Sequence, residues 1–171
     1  GEIHINEPDL ARVVKNTISS GFFKASSSIE SGDVYLVVVP TPFKSNHEPD
    51  ISHVVTATQQ IIPLLKPKDL FIIESTCPVG TTEKMENLIY EQRPELKDNI
   101  FIAYCPERVL PGNVMYELVN NDRVIGGVND KSTTKAIQFY KKFVKAKLHS
   151  TNSRTAEMCK LVENSSRDVQ I

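Results

Sequence analysis

The sequence predicts an α/β protein in which helices cover both faces of a mostly parallel sheet. Short apolar runs typical of strands alternate with longer segments of helical period. Strands separated by helices form right-handed crossover units, which place neighbouring strands parallel. With 171 residues, 40% of them hydrophobic and 24% charged, the chain is long enough for one domain with its own core.

Punctuation by proline and glycine sets the bounds of the predicted elements. Pro8 and Gly21 bracket the first helix, Pro63 ends or kinks the second, and Pro94 stops the third. The run DVYLVVV predicts a strand that is buried on both faces. The predicted helices span 8–21, 51–65, 80–94 and 131–144, with another from about 154, and the predicted strands span 33–39, 70–75, 100–105, 122–127 and 147–151.

Polar residues follow three consecutive predicted strands. Thr41 stands between two prolines, Ser75 and Thr76 follow the second strand, and Glu107 and Arg108 follow the third. Each has a structural explanation. Thr41 could fix a turn, Ser75 and Thr76 could cap the next helix, and Glu107 and Arg108 could form a surface salt bridge. However, ligands bind at the carboxyl ends of parallel strands, and a helix N-terminus attracts phosphate. The shared location therefore favours one site.

The last predicted helix carries a polar stripe. At about 100° per residue, Lys160, Asn164 and Arg167 fall within an arc of roughly 60°. The far side is apolar, with Met158, Leu161, Val162 and Val169. The stripe is either a solvated face or, lacking an acidic neighbour, a site for an anionic or polyhydroxyl ligand. A lysine with a lowered pKa in such a stripe is also a candidate base.

Composition argues against several classes of function. A net charge of −1 gives no reason to expect nucleic acid or a membrane surface as a partner, and the apolar runs are too short to span a bilayer. The three cysteines (Cys77, Cys105 and Cys159) lack metal-ligand spacing, which predicts reduced thiols in a cytoplasmic protein without a metal. Cys77 near a helix N-terminus is a structural thiol or, as the alternative, a nucleophile with a lowered pKa.

The two ends of the chain suggest a segment of a longer polypeptide. The sequence begins without methionine and stops at Ile171 inside a helical pattern that has no capping residue. We expect residues 1–152 to form one domain and residues 153–171 to begin a second, helical one.

Five motifs, in order, resemble the nucleotide-sugar 6-dehydrogenases, and in particular the branch that acts on UDP-N-acetyl-D-mannosamine. They are VPTPF, ESTCPVGTTEKM, YCPERVLPG, NDRVIGG and TNSRTAEMCKLVENSSRDV. The resemblance implies a partial Rossmann-like domain that lacks its first βαβ unit, followed by the start of a central helical domain. It also implies oxidation of the C6 alcohol of a UDP-sugar to a carboxylate by two molecules of NAD⁺, in an enzyme that forms homodimers.

The same resemblance implies roles for individual residues. Lys160 matches a catalytic proton donor and acceptor, and Glu107 a carboxylate that serves acid/base chemistry. Thr41 and Thr76 match positions that contact NAD. The positions that match substrate contacts are Arg108, Val109, Lys160, Asn164 and Arg167.

Departures from the family pattern leave alternatives open. Pro111 stands where UDP-glucose dehydrogenases usually carry a second glutamate, and Ser166 stands where the family usually has phenylalanine. The resemblance places a glycine-rich phosphate loop before Gly1 and a nucleophilic cysteine beyond Ile171, so this segment alone should be inactive. The alternatives are a dehydrogenase of UDP-N-acetylglucosamine or UDP-glucose, and a non-catalytic binding module.

Overall fold

A computed structural model describes residue 5 and residues 7–170 of the chain. Residues 1–4 and 6, which contribute to the family resemblance of the opening segment, and Ile171 lie outside the described part. The strands are β1 (Val34–Val37), β2 (Leu70–Ile73), β3 (Phe101–Tyr104), β4 (Arg123–Gly127) and β5 (Leu148–Asn152). The α-helices are α1 (Leu10–Ser19), α2 (Ser52–Ile61), α3 (Thr81–Gln92), α4 (Val114–Asn120), α5 (Asp130–Tyr140) and α6 (Ser153–Val169).

The five strands form one mostly parallel sheet in the order β1-β2-β3-β4-β5, which confirms the predicted fold class. β1, β2 and β3 run parallel, β4 runs antiparallel to β3, and β5 runs parallel to β4. The carboxyl ends of β1, β2 and β3 therefore lie side by side at one end of the strands, and this end of the sheet is called here the site edge. The carboxyl ends of β4 and β5 lie at the other end of the strands, called here the opposite edge.

The reversal between β3 and β4 has a local cause. After β3 the chain turns at Gly112, which adopts a positive φ of 95°, and then forms α4 before β4 begins. β4 therefore begins at the same end of the sheet at which β3 stops, and antiparallel neighbours need no crossover. Helix α4 is not among the predicted helices, because its seven residues bury no side chain and leave little helical periodicity to detect.

Alternating side chains of the central strands build the core on both faces of the sheet. Phe71 and Ile73 pack with residues of α2, α3 and α6, whereas Leu70 and Ile72 pack with residues of α5. All four residues of β2 are completely buried, as a strand covered on both faces requires. Burial of this kind supplies the main favourable free energy of folding.

The prediction that the first strand is buried on both faces is wrong. Tyr35 and Val37 face the core, but Leu36 is 43% exposed and Val38, just after the strand, is 63% exposed. β1 is one of the two outermost strands of the sheet, and within the described residues its second face is not covered. An apolar run alone does not reveal which strand lies at an edge.

Prolines end the helices where the sequence predicts. α2 stops at Ile61, and a 3₁₀ turn that includes Pro63 follows it. α3 stops at Gln92, immediately before Arg93 and Pro94. Among the described residues, every helix is too short or too polar to cross a membrane.

Candidate active site

A cavity of about 840 Å³ opens at the site edge, between the ends of β1 and β2 and the helix α6. Four of the side chains predicted from the sequence line it: Thr41, Thr76, Asn164 and Arg167. The other lining residues are Phe43, Pro49, Cys77, Pro78, Leu161, Ser165 and Asp168. The fold thus brings the predicted NAD-contacting threonines and part of the polar stripe of α6 to one cleft.

The hydroxyls of Thr41 and Thr76 are available to a ligand. Both residues are partly buried, and neither hydroxyl forms a hydrogen bond with another described residue. A hydroxyl provides one donor and two acceptor lone pairs, so each can bond a polar group in the cavity.

Neither Ser75 nor Thr76 caps α3, contrary to one predicted alternative. The Ser75 hydroxyl accepts a hydrogen bond from the backbone N–H of Val39 at 2.7 Å and donates to the Val39 carbonyl at 2.8 Å. It therefore joins the segment after β1 to the end of β2. The residue preceding α3 is Gly80, which has no side chain to form a cap and adopts a positive φ of 94°.

The amino terminus of α3 is occupied by a side chain of the protein itself. The carboxylate of Glu157, on α6, accepts hydrogen bonds from the N–H of Gly80 at 2.6 Å and the N–H of Thr82 at 2.8 Å. It also accepts one from the Thr82 hydroxyl at 2.7 Å. Because these donors are already used, this helix terminus does not fit a phosphate group, although the sequence suggested it.

Glu107, Arg108 and Val109 lie beside the cavity rather than lining it, and Glu107 and Arg108 do not pair with each other. The Glu107 carboxylate accepts a hydrogen bond from the N–H of Val109. The Nε of Arg108 donates to Glu163 on α6 at 2.6 Å. The acid and the guanidinium thus serve two different contacts, one within the turn and one that ties the turn to α6.

Lys160 connects the turn after β3 to α6. Its Nζ donates a hydrogen bond to the backbone carbonyl of Glu107 at 2.6 Å, and the residue is only 9% exposed. Burial lowers the pKa of Lys160, with Glu107 and Glu163 acting in the opposite direction and Arg167 and Arg108 adding to the decrease. A buried amine with a lowered pKa holds the neutral form at lower pH than an exposed lysine, as a general base requires.

Asn164 and Arg167 continue the stripe, but the predicted absence of an acidic neighbour is wrong. The Arg167 guanidinium donates to the Asn164 side-chain oxygen at 2.7 Å. Glu163 lies between the two arginines of the site, 2.6 Å from Arg108 and 3.9 Å from Arg167. Partial neutralisation by Glu163 makes the stripe less cationic than the sequence suggested.

The apolar side of α6 faces outward, and its polar stripe faces the domain. Met158 is 49% exposed, Val162 58% and Val169 87%, whereas Glu157 is completely buried. This is the reverse of a helix that packs by its apolar stripe. Polar contacts, together with the buried Ala156, therefore hold α6 to the rest of the domain.

Burial raises the pKa of two of the three thiols. It raises the pKa of Cys77 to about 12, with a further contribution from Glu157, and the pKa of Cys105 to about 11. The alternative in which the pKa of Cys77 is lowered is wrong, because burial and the charge of Glu157 both raise it. Cys159 is exposed, and all three cysteines are free thiols.

A second group of buried polar side chains, which no sequence pattern indicated, lies next to the site. Glu74 accepts a hydrogen bond from the Tyr140 hydroxyl, and the Arg123 guanidinium lies 3.9 Å away. Burial raises the pKa of Glu74, against the effects of Tyr140 and Arg123, and the charge of Glu107 raises it further. Glu157, also missed, had a detectable signal: it lies three residues before Lys160 on the same helical stripe.

The described residues include no group of three or more histidine, cysteine, aspartate or glutamate side chains close enough together to hold a metal ion.

Comparison with known proteins shows the family. Residues 1–144 match the NAD-binding domain of the UDP-glucose/GDP-mannose dehydrogenase family. The UDP-N-acetyl-D-mannosamine dehydrogenase of Escherichia coli K12 is 53% identical over 100% of this chain and 43% of its own length. The NDP-N-acetyl-D-galactosaminuronic acid dehydrogenase of Ralstonia nicotianae is 46% identical over 100% of the chain and 42% of its own length.

Solved structures agree with these sequence relatives. The UDP-N-acetyl-mannosamine dehydrogenase of Staphylococcus aureus superposes with a TM-score of 0.93 at 40% identity, covering 100% of this chain and 42% of that one. The chain spans less than half the length of the relatives it matches. The predicted resemblance is confirmed, and the chain belongs to the UDP-glucose/GDP-mannose dehydrogenase family.

Proposed function

We propose that this chain is the central part of an NAD-dependent nucleotide-sugar dehydrogenase that oxidises the C6 alcohol of UDP-N-acetyl-D-mannosamine to the uronic acid. The observation that carries the proposal is the placement of Lys160, a buried lysine with a lowered pKa. Lys160 does not itself line the cavity, but it lies one helical turn before Asn164, which lines the cavity together with Thr41 and Thr76. The names of the relatives support the choice of sugar.

The proposed division of labour follows from the position of each side chain. Thr41 and Thr76 bind NAD, which accepts hydride when bound. Neutral Lys160 takes the proton of the sugar hydroxyl, and Glu107, whose carbonyl holds the Lys160 amine, contributes acid/base chemistry. Arg108, Val109, Asn164 and Arg167 orient the UDP-sugar, the arginines by directed hydrogen bonds to its oxygens.

Three further assignments belong to this proposal: a division into two domains, a homodimer contact and a cytoplasmic location. Residues 1–152 form the dinucleotide-binding domain, and residues 153–171 begin the central helical domain. In support, the family match ends at residue 144 and the last strand of the described sheet ends at Asn152. The exposed apolar side of α6, with Met158 and Val162, is the proposed homodimer contact. The free thiols are consistent with a cytoplasmic protein.

The test is turnover by the full-length protein. Purified protein is incubated with NAD⁺ and, separately, with UDP-N-acetylmannosamine, UDP-N-acetylglucosamine and UDP-glucose, while NADH formation is followed and the products are identified by mass spectrometry. We expect NADH and the uronic acid with UDP-N-acetylmannosamine at a kcat/KM well above the others. A higher kcat/KM for another sugar would change the substrate, and no NADH with any of them would leave a non-catalytic binding module.

A further inference from the structure

We propose that Glu157 is a positioning residue that fixes the distance between the two walls of the active-site cavity. One wall is the loop from Thr76 to Gly80 after β2, and the other is the stripe of α6 that carries Lys160 and Asn164. This inference rests on the proposed function, and it adds a role for a side chain that has no part in the chemistry described above.

Glu157 of α6 contacts Gly80 and Thr82 at the start of α3, and this contact is called here the joint between the two helices. It is completely buried and uses both carboxylate oxygens: Oε2 accepts from the Gly80 N–H, and Oε1 accepts from both the N–H and the hydroxyl of Thr82. Two of these donors are amides of the first turn of α3 or the residue before it, which have no partner within the helix. A carboxylate at a helix N-terminus is also favoured by the helix dipole.

The position of this joint in the sequence links it directly to both walls. Gly80 lies only four residues after Thr76, which lines the cavity. Glu157 lies three residues before Lys160 and seven before Asn164, so all three are on one face of α6. A change at the carboxylate would therefore move the proposed cofactor loop relative to the proposed base.

The surroundings of Glu157 explain why other contacts do not replace it. Burial raises the pKa of Cys77 and Tyr104, and the nearby charge of Glu157 raises the pKa of each further. Neither provides a second polar link between α3 and α6. The apolar side of α6 faces away from the domain, so apolar packing alone does not fix its position.

A second acidic contact between the same helices serves as the matched control. Arg154 of α6 pairs with Glu83 of α3 at 2.9 Å, but the two side chains are 58% and 42% exposed. Exposed pairs of this kind contribute little, about 0–1 kcal/mol. Glu83→Gln removes a carboxylate from the same helix pair without disturbing the buried joint.

The first experiment compares Glu157→Gln and Glu83→Gln in the full-length protein. Glutamine keeps the size of the side chain but turns one acceptor into an NH₂ group that faces an N–H donor. We expect Glu157→Gln to lower kcat about 10²-fold per folded molecule, as an error of about 1 Å in placement does, with the KM values changed less than about threefold. Glu157→Asp, which keeps both acceptors but is one methylene shorter, should fall between, and Glu83→Gln should match the wild type.

The second experiment does not depend on turnover. The pH dependence of acylation of Lys160 by acetic anhydride is followed by mass spectrometry of its peptide. If the joint holds Lys160 in its buried place, Glu157→Gln exposes the amine and raises its pKa toward the ordinary lysine value. The acylation profile of Lys160 then moves to higher pH, and that of Glu83→Gln does not.

The outcomes separate this inference from the proposed function. A Glu157→Gln protein that is less stable but has normal kcat and a normal Lys160 profile overturns the positioning role. Equal effects of Glu157→Gln and Glu83→Gln on kcat or on the profile overturn it as well. A wild-type protein that forms no NADH with any UDP-sugar overturns the proposed function, while the acylation profiles still decide whether Glu157 positions Lys160.

Discussion

At the site edge of the sheet, strand ends present hydroxyls without a partner in the described part of the protein, whereas at the opposite edge they present polar groups that bond one another. Thr41 and Thr76 line a cavity of about 840 Å³ at the site edge. At the opposite edge a cavity of about 650 Å³ is lined by Asn129, Thr133 and Asn152. The two cavities are similar in size, so volume alone does not identify the site.

The polar groups of the opposite edge hold the fold together. Asn129 accepts a hydrogen bond from the N–H of Ser132 and caps α5, and Asn152 accepts one from Thr155 and caps α6, both at 2.9 Å. A side chain at Gly126 would bring its Cβ within 2.1 Å of the Asn152 carbonyl oxygen. The strand ends at the opposite edge are therefore closely packed. The contrast indicates that polar groups without a hydrogen-bond partner among the described residues, rather than polar groups as such, mark the site.

The largest expected effect comes from removing the proposed base. Lys160→Ala in the full-length protein should lower kcat about 10³-fold, because general base catalysis contributes roughly 10²- to 10⁴-fold. NAD binding, measured by calorimetry, should change less than about twofold. Lys131→Ala, an exposed lysine near the opposite edge, is the control. An unchanged kcat in Lys160→Ala would remove Lys160 from the chemistry.

The threonines test the contrast between the edges directly. Thr41→Val and Thr76→Val should each raise the KM for NAD about fivefold, since a typical hydrogen bond contributes about 1 kcal/mol. Thr133→Val should leave that KM unchanged. It should lower the free energy of unfolding by about 1–3 kcal/mol, because Thr133 accepts the buried N–H of Gly127 at 2.9 Å. The reverse pattern would assign NAD to the opposite edge.

A smaller effect is expected from Glu74, which lies at the site edge but turns toward α5. Because the folded protein raises the pKa of Glu74, the folded state binds this proton more tightly than the unfolded state. The contribution of Glu74 to stability is therefore greatest at acidic pH and falls as pH rises through the raised pKa. The difference in unfolding free energy between wild type and Glu74→Gln, measured by urea denaturation from pH 4 to 7, should fall with pH. A flat difference would contradict the assigned shift.

The smallest effect concerns the thiols. At neutral pH a thiol reagent such as Ellman's reagent should modify Cys159 rapidly and Cys77 and Cys105 slowly, because burial raises the pKa of both. Cys159→Ser should remove the rapid phase without changing the slow ones. Rapid modification of Cys77 would contradict this expectation and make Cys77 a candidate nucleophile again.

Much of the fold was predictable, because its elements are local. Apolar runs and prolines located every strand and all of the helices except α4, which is too short to show a period. The exposure of Leu36 was not predictable, because it depends on the place of β1 at the edge of the sheet. Strand order depends on the whole chain and cannot be inferred from any one segment.

The candidate site was predictable only in part. Strand ends and the helical stripe singled out Thr41, Thr76 and Lys160, but the roles assigned to them came from the family resemblance and stay predictions. The partner of each side chain could not be predicted: Arg108 binds Glu163 and not Glu107, and Glu157 binds α3. Such contacts join residues 55 and 77 positions apart, and only the packing of α6 against the sheet determines them.

The most direct measurement is a crystal structure of the full-length protein with NAD⁺ and the UDP-sugar. We expect the hydroxyls of Thr41 and Thr76 to lie within hydrogen-bonding distance of the dinucleotide, about 3.2 Å or less, and the sugar to lie against Lys160 and Asn164. A dinucleotide bound at the opposite edge, or a sugar remote from Lys160, would contradict the proposed site.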